Sequence, residues 1–314
     1  MSTYTKTAKK SLMTRIVSDT KKNKYLYLLA LPGFIWLILF AYKPMVGVLM
    51  AFQDYNIMDG VFSSPWVGFK HFKTFFSGRD FWPVMGNTVK ISLLQLLFGF
   101  PAPIILAIMF NELRDGLLKK TTQTISYLPH FLSWVTIAGM MTTLLSPSTG
   151  LVNMLMSKLG MEPVYFLAEK NMFVPILVIS NIWKEIGWGS VIYMASLASL
   201  DQEVAEAALI DGCSRFKKII HINLPHLLST VAIMLILRMG SILNAGFDQI
   251  FNLYSPATYD VADVLDTYVY RLGISGFQYS LSTAIGLFKS IVGVILVIVT
   301  NYLTKKMSDG EISL

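Results

Sequence analysis

The sequence predicts an all-α integral membrane protein of six spanning helices, with both termini on the cytoplasmic side. Three observations predict it. Only 14% of the 314 residues are charged and 54% are hydrophobic, whereas an ordinary soluble domain carries roughly 25% charged residues. The apolar residues gather into runs that can cross a bilayer, which takes about 20 mostly apolar residues. The basic residues concentrate on alternate connecting segments, the pattern that sets orientation.

Six spans are expected, at about 25–51, 87–111, 125–146, 173–197, 227–250 and 281–304. A tail, 1–24, with seven Lys or Arg precedes the first. The run from Tyr25 to Phe52 is too long for a signal-peptide core, and no A-x-A cleavage site follows it, so it reads as an uncleaved span. Pro32, Pro101, Pro103 and Pro129 fall in or beside spans. Membrane helices tolerate them because neighbouring groups satisfy the freed carbonyls. With the N-terminus inside, the inner segments hold fifteen Lys or Arg. The outer ones hold six: Lys70, Lys73, Arg79, Lys158, Lys170 and Arg271. The basic tail reads as a topology determinant near anionic lipid, the alternative being a docking arm. The outer stretch SPWVGFKHFKTFFSGRDFW (64–82) predicts short interfacial helices with Trp66, Phe69, Phe72 and Trp82 near the headgroups. The organisation is then a basic tail 1–24, a first span with its extracellular segment 25–86, a five-helix core 87–304, and a tail 305–314.

Several function classes are disfavoured. The single cysteine, Cys213, rules out an internal disulfide and a cysteine-based metal cluster. His71, His130, His221 and His226 are scattered without ligand spacing, so no metal site is expected. No paired carboxylates or Ser/His constellation suggests catalytic residues. The nearest approach to a phosphate-binding loop, GLFKS (286–290), lacks the Gly-Lys pair and sits in an apolar span. The chain is expected to carry no cofactor and to hydrolyse no ATP itself. No nucleic-acid partner is expected.

One polar stretch interrupts the apolar pattern on the cytoplasmic side: EAALIDGCSRFKKIIHINLP, Glu206 to Pro225, within an elbow 199–225. Ser199 and Gln202 have capping-box spacing, so a helix is expected to start near Leu200. Gly212 ends it in the left-handed manner. Ser214 caps a second helix, on which Phe216, Ile219 and Ile220 share one face. Pro225 precedes span five. The residues alone leave open a docking elbow or a simple interfacial loop.

The stretch resembles the EAA loop of binding-protein-dependent ABC importer permeases, E-A-A-x-x-x-G-A, five variable residues, then F-x-x-I-x-L-P. Glu206, Ala207, Ala208 and Gly212 match, and Asp211 fits the common Asp-Gly form. Cys213 stands for Ala and Ile219 for Phe. Ile222, Leu224 and Pro225 match, while Ser229 occupies the place of a further proline. From Asn87 to Leu303 the chain resembles the six-helix, MalF-like sugar branch. YLPHFLSW (127–134) and the segment 182–212 resemble its LplB-type subfamily, which imports complex oligosaccharides in Gram-positive bacteria. The resemblance implies a MetI-like fold of type I importers and a coupling helix that docks on a cytoplasmic ATPase. Glu206 is then the expected polar anchor in the ATPase cleft, and Phe216 and the matched residues complete the docking surface. It also implies a second permease, two ATPase copies holding Mg-ATP, and an extracellular solute-binding protein.

A sugar path needs hydroxyl partners and stacking planes. Span four offers Asn181, Trp183, Lys184, Glu185 and Trp188, and span five Arg238, Ser241, Asn244 and Asp248, the latter four roughly on one stripe. Tyr193 is a weaker candidate. Asn181, Glu185 and Trp188 share a helical face. Counted from Phe173 at about 1.5 Å per residue, Trp183 and its neighbours lie near mid-bilayer. Charges at that depth face the protein interior or water. Lining a path and pairing between helices both stay open. The reading is an oligosaccharide importer permease in a plasma membrane. A peptide or osmolyte importer and, further off, a secondary transporter are the alternatives.

Overall fold

The computed structural model describes residues 22–307. Most of the basic tail and the last residues lie outside the described residues. The described chain is helical, and its one β feature is an isolated bridge between Gln53 and Trp66.

The helices are α1 (Lys24–Phe52), α2 (Lys70–Ser77), α3 (Phe81–Glu112), α4 (Leu117–Tyr127), α5 (Trp134–Leu144), α6 (Leu151–Lys158), α7 (Lys170–Ala198), α8 (Gln202–Ile210), α9 (Arg215–Gly240), α10 (Phe247–Leu253), α11 (Leu265–Tyr270) and α12 (Tyr279–Met307). Among the described residues, α1, α3, α9 and α12 are long and apolar enough to cross a membrane. At 29 residues, α7 has the length as well. In its interior it carries the pair Lys184–Glu185.

Proline placement explains the local geometry of three spans. A π-helical turn precedes Pro44 (Leu37–Tyr42), Pro101 (Gln95–Gly99) and Pro225 (Ile219–Asn223). Proline lacks the N–H that would reach back one turn, and a widened turn takes up the mismatch without ending the helix. This corrects one expectation. Pro225 does not separate the elbow from span five, because α9 runs unbroken from Arg215 to Gly240.

Two expected spans are interrupted. The stretch 125–146 is not one helix. The end of α4 passes into a tight turn, Leu128–Phe131, containing Pro129, and Ser133 then caps α5 by accepting from Thr136 N–H. The two pieces still follow α7 antiparallel. Gln123 and Tyr127 meet Met194 near its C-terminal end, and Met141 and Leu145 pack with Leu177 near its N-terminal end. The stretch 227–250 ends at Gly240, turns through Gly246, and resumes as α10. Arg238, Ser241, Asn244 and Asp248 therefore do not form a continuous helical stripe.

Three buried clusters hold the core. The outer cluster joins Ile91, Ala138, Phe173, Leu177 and Ile250; a second packs Phe75, Val84 and Ile285; the cytoplasmic cluster sets Ala107 against Tyr193, Leu197 and Leu227. Gln249 sews α10 to α7, donating to the Leu177 carbonyl at 2.7 Å and to Ser180 Oγ at 2.8 Å. In the outer segment, Phe52, Phe69 and Phe72 form an aromatic cluster, while Trp66 and Trp82 stay exposed. Beside it, a hydrogen bond from Lys70 holds the Asp54 carboxyl below its ordinary pKa. No residue of α1 from Lys24 to Tyr42 is buried by the rest of the described residues.

At Gly187 α7 comes so near α4 that an added β-carbon would run into the Ser126 backbone. Small residues permit such backbone contact in membranes. Gly187→Ala is therefore expected to destabilise by about 1–3 kcal/mol, the usual result of overpacking. The check is a lowered thermal midpoint of the detergent-solubilised protein. Gly139→Ala, where nothing lies within 4 Å of the added carbon, should leave that midpoint unchanged.

Candidate functional site

The elbow forms from its own sequence. Asp201 Oδ1 accepts from Glu203 N–H at 2.9 Å at the start of α8. The expected Ser199 cap is not made, because the Ser199 hydroxyl turns back to the Ser196 carbonyl at 2.7 Å and closes α7. Gly212 stands at φ +73°. The Cys213 N–H reaches the Ala208 carbonyl at 2.9 Å, and Asp211 N–H reaches Ala207. Such a stop needs a left-handed residue, and glycine has no β-carbon to strain there. Ser214 then caps α9 by accepting from Lys217 N–H.

Glu206, Ala207, Asp211, Gly212 and Pro225 are exposed, Ala208, Cys213 and Ile219 partly so. Ile210 is 86% and Phe216 71% exposed, and Leu224 is also open. The elbow thus offers an apolar and charged surface that nothing among the described residues covers. It is anchored at its root. Lys218 Nζ lies 3.2 Å from Glu112 Oε1, at the cytoplasmic end of α3, and Asn223 Nδ2 donates to the same oxygen at 3.4 Å. Asn223 is fully buried, and its Oδ1 has no partner among the described residues. Glu112, Lys218 and Asn223 were not singled out from sequence. They lie 111 positions apart at the extremes, and no local pattern signals such a clamp.

A cavity of about 520 Å³ lies midway along α3, α7 and α9. Asn181, Glu185, Trp188 and Arg238 line it, together with Gln95 and Trp134; Tyr193 and Ser241 also reach it. Positions 181, 185 and 188 recur at i, i+4 and i+7, so one helical face delivers all three. Trp183 stands two residues from Asn181, about 200° around the helix. It faces a separate apolar groove of about 340 Å³ with Ile137, Met141 and Ile176. Asn244, in the turn after α9, and Asp248, at the start of α10, are exposed and do not line the cavity.

Lys184 does not point into the cavity. It is 6% exposed and donates to the carbonyls of His130 at 2.6 Å and Leu132 at 2.9 Å, at the break between α4 and α5. Its ammonium also lies 5.8 Å from the Trp134 ring. Glu185 reaches back to the same place, with Oε2 2.8 Å from His130 Nδ1 and Oε1 3.6 Å from Lys184. The His130 ring stacks on Trp188 at 4.8 Å and 5°. Arg238 Nη2 donates to Gln95 Oε1 at 3.3 Å, and Gln95 Nε2 donates to the Ala245 carbonyl. The arrangement is a cavity with a stacking plane, a carboxylate, a guanidinium and side-chain amides. It suits a polyhydroxylated solute. His130 and Gln95 were missed as site residues, although His130 sits inside the quoted YLPHFLSW. Among the described residues no His/Cys/Asp/Glu group could hold a metal.

Removing the Lys184 ammonium strands two carbonyls. Lys184→Met is expected to cost about 1–3 kcal/mol for each buried acceptor left unpaired, seen as a lowered thermal midpoint and reduced membrane yield. At the elbow, Lys218→Met should leave the fold intact and weaken the anchoring of α9 to α3. Restoration in Glu112→Lys/Lys218→Glu, read as recovered transport per ATP hydrolysed, is the check.

A family described as "binding-protein-dependent transport system inner membrane component" matches residues 99–309. The chain is 46% identical to Protein LplB of Bacillus subtilis over 92% of this chain and 91% of that one. It is 41% identical to the polygalacturonan/rhamnogalacturonan transport system permease protein YteP of the same organism, over 97% and 95%. It superposes with a TM-score of 0.88 and 42% identity on a chain of a bacterial alginate ABC transporter crystallised in complex with alginate pentasaccharide-bound periplasmic protein, covering 96% of this chain and all of that one. The protein is an integral membrane transport component, and the chain belongs to the inner membrane component family of binding-protein-dependent transport systems.

Proposed function

We propose that this chain is the transmembrane permease subunit of an ATP-driven importer, carrying an oligosaccharide handed over by an extracellular solute-binding protein. The observation that carries the reading is the clamped elbow. A glycine-stopped elbow with an exposed docking surface is tied through Lys218 and Glu112 to α3, and α3 supplies Gln95 to the central cavity. A push on the elbow therefore moves a wall of the cavity as one body, the requirement of alternating access.

In this reading Glu206, Ala207, Ala208, Asp211, Gly212, Cys213, Phe216, Ile219, Leu224 and Pro225 form the surface that meets the ATPase. Mg-ATP resides on that partner. Asn181, Glu185, Trp188 and Arg238 line the solute path, and residues 87–304 form the permease core. A second, homologous permease supplies the facing half of the path, two ATPase copies drive it, and the exposed Trp66 and Trp82 lie on the side the binding protein approaches. Two of the relatives above are named for uronate polymers, and Arg238 supplies a cation suited to a carboxylated sugar. Bacillus subtilis relatives support the plasma membrane of a Gram-positive bacterium.

The test is ATPase activity of the reconstituted assembly, with binding protein loaded from a panel of oligosaccharides and peptides. A glycan is expected to stimulate hydrolysis. Gly212→Val places a β-branched residue where φ is +73°, an outlier for such side chains. It should reduce the stimulation at least about tenfold, equivalent to about 1.4 kcal/mol of lost coupling. Stimulation by a peptide alone would overturn the cargo, and absence of any ATPase binding would overturn the coupling role. In the same assay Glu185→Gln should raise the concentration of glycan-loaded binding protein needed for half-maximal ATPase stimulation, with the thermal midpoint nearly unchanged.

A further inference from the structure

A second cavity, of about 510 Å³, lies between the cytoplasmic halves of α7 and α9. Ser196, Ser199, His226, Ser229 and Thr230 line it, and Met234 lines both it and the central cavity. The two cavities are arranged end to end along the same helix pair. The central one follows α9 from Arg238 to Met234, and the second continues from Met234 to His226. At about 1.5 Å per residue, Arg238 and Thr230 are roughly 12 Å apart along the axis. The second cavity adjoins the elbow and so lies on the cytoplasmic side.

Its chemistry is selective by what it contains. Hydroxyls both donate and accept, and four of the lining side chains carry one. Part of this capacity holds the two helices together. His226 Nε2 lies 2.9 Å from the Ser196 carbonyl, and Thr230 Oγ1 donates to Ser196 Oγ at 3.0 Å. Ser229 is exposed, lines the groove, and its hydroxyl makes no hydrogen bond among the described residues. Among the described residues no carboxylate lines the groove, which argues against a metal or ammonium ligand. Among them no lysine or arginine lines it either, which argues against a phosphate or nucleotide. Four neutral hydroxyls and one imidazole fit the hydroxyl groups of a sugar, and Ile192, Ile233 and Met234 supply apolar wall for its ring faces. Without fixed charge it binds weakly, as a release station must.

We propose that this groove is a saccharide subsite on the release side, taking the leading sugar units as they leave the central cavity. The proposal rests on the oligosaccharide reading above. A linear glycan would then be gripped at two places, so its length matters for transport and not only its terminal sugar.

The test uses the full assembly in inside-out vesicles without nucleotide. Ser229→Cys is reacted with a maleimide from the cytoplasmic face, and modification at position 229 is read by peptide mass spectrometry, separately from native Cys213. Galacturonate pentasaccharide, alginate pentasaccharide and arabinopentaose are the probes, with a pentapeptide for comparison. The glycan that stimulates ATPase through the loaded binding protein is expected to slow labelling at least about threefold, and the peptide to leave it unchanged. Ser199→Cys, on the facing wall, gives the same reading independently should Ser229→Cys disturb assembly. An unchanged rate at both positions, with a glycan that does stimulate ATPase, overturns the subsite and leaves the groove as helix packing. Failure of both cysteines to react at all overturns it too, because a release station must open to the cytoplasm. If no glycan stimulates ATPase, the oligosaccharide reading has failed, and the subsite falls with it.

Discussion

The ammonium of Lys184, held between the carbonyls of His130 and Leu132, is the interaction on which the rest of the molecule depends. A break in a spanning segment leaves backbone acceptors without helical partners, at a depth where water cannot serve them. A lysine at such a depth is itself costly. Each deficiency cancels the other. The lysine gains two strong acceptors, and the break gains two donors. Because the pairing is made inside the protein, the gap between α4 and α5 stays at one place along α7. That place carries His130, whose ring stacks on Trp188 and meets Glu185, and Trp188 and Glu185 in turn line the cavity.

From this point the polar architecture follows in tiers. At mid-depth, Arg238 is tied to Gln95 and Gln95 to the turn after α9. One tier outward, Gln249 ties α10 to α7. One tier inward, Ser196 gathers His226 and Thr230. At the cytoplasmic end, Glu112 receives Lys218 and Asn223. Apolar packing between helices gains little in a bilayer, since lipid tails are as apolar as leucine. Directional polar contacts then decide which helices stay together, and here they join α3, α7 and α9 into one unit linked to the elbow. In contrast, α1 buries none of its first nineteen residues against the other described residues.

The strength of the elbow as a transmitter comes from two opposed properties. Its tip is open, with Ile210 and Phe216 exposed, and its root is closed by a half-buried ion pair. An exposed pair would be worth little. This one shares its carboxylate with a fully buried amide, so relaxing it strands a polar group. The π turn before Pro225 lets the helix pass from elbow to span without a joint, so motion at the tip is not lost midway.

How much of this was legible in the sequence depended on range. The long apolar runs gave the membrane class, because crossing a bilayer is a matter of length and polarity that each segment satisfies alone. The elbow was legible for the same reason. Gly212 and Ser214 stop and start helices through contacts within a few residues, and the structure places both as expected. The face shared by Asn181, Glu185 and Trp188 was legible from helical periodicity. Range also explains the failures. Periodicity assumes an unbroken helix, so the stripe from Arg238 to Asp248 was lost when the chain turned after Gly240. Trp183 was grouped by depth when azimuth decided its surroundings. Pro129 reads from sequence as a proline that a continuous span tolerates, but whether the chain breaks there depends on a distant donor, and Lys184 lies more than fifty residues away. The sequence by itself determined the membrane class, the elbow and the family pattern, because those arise from local propensity and polarity. Only the tertiary structure decided the clamp, the central cavity and the role of each buried charge, because a charge in a membrane is defined by the partner that satisfies it.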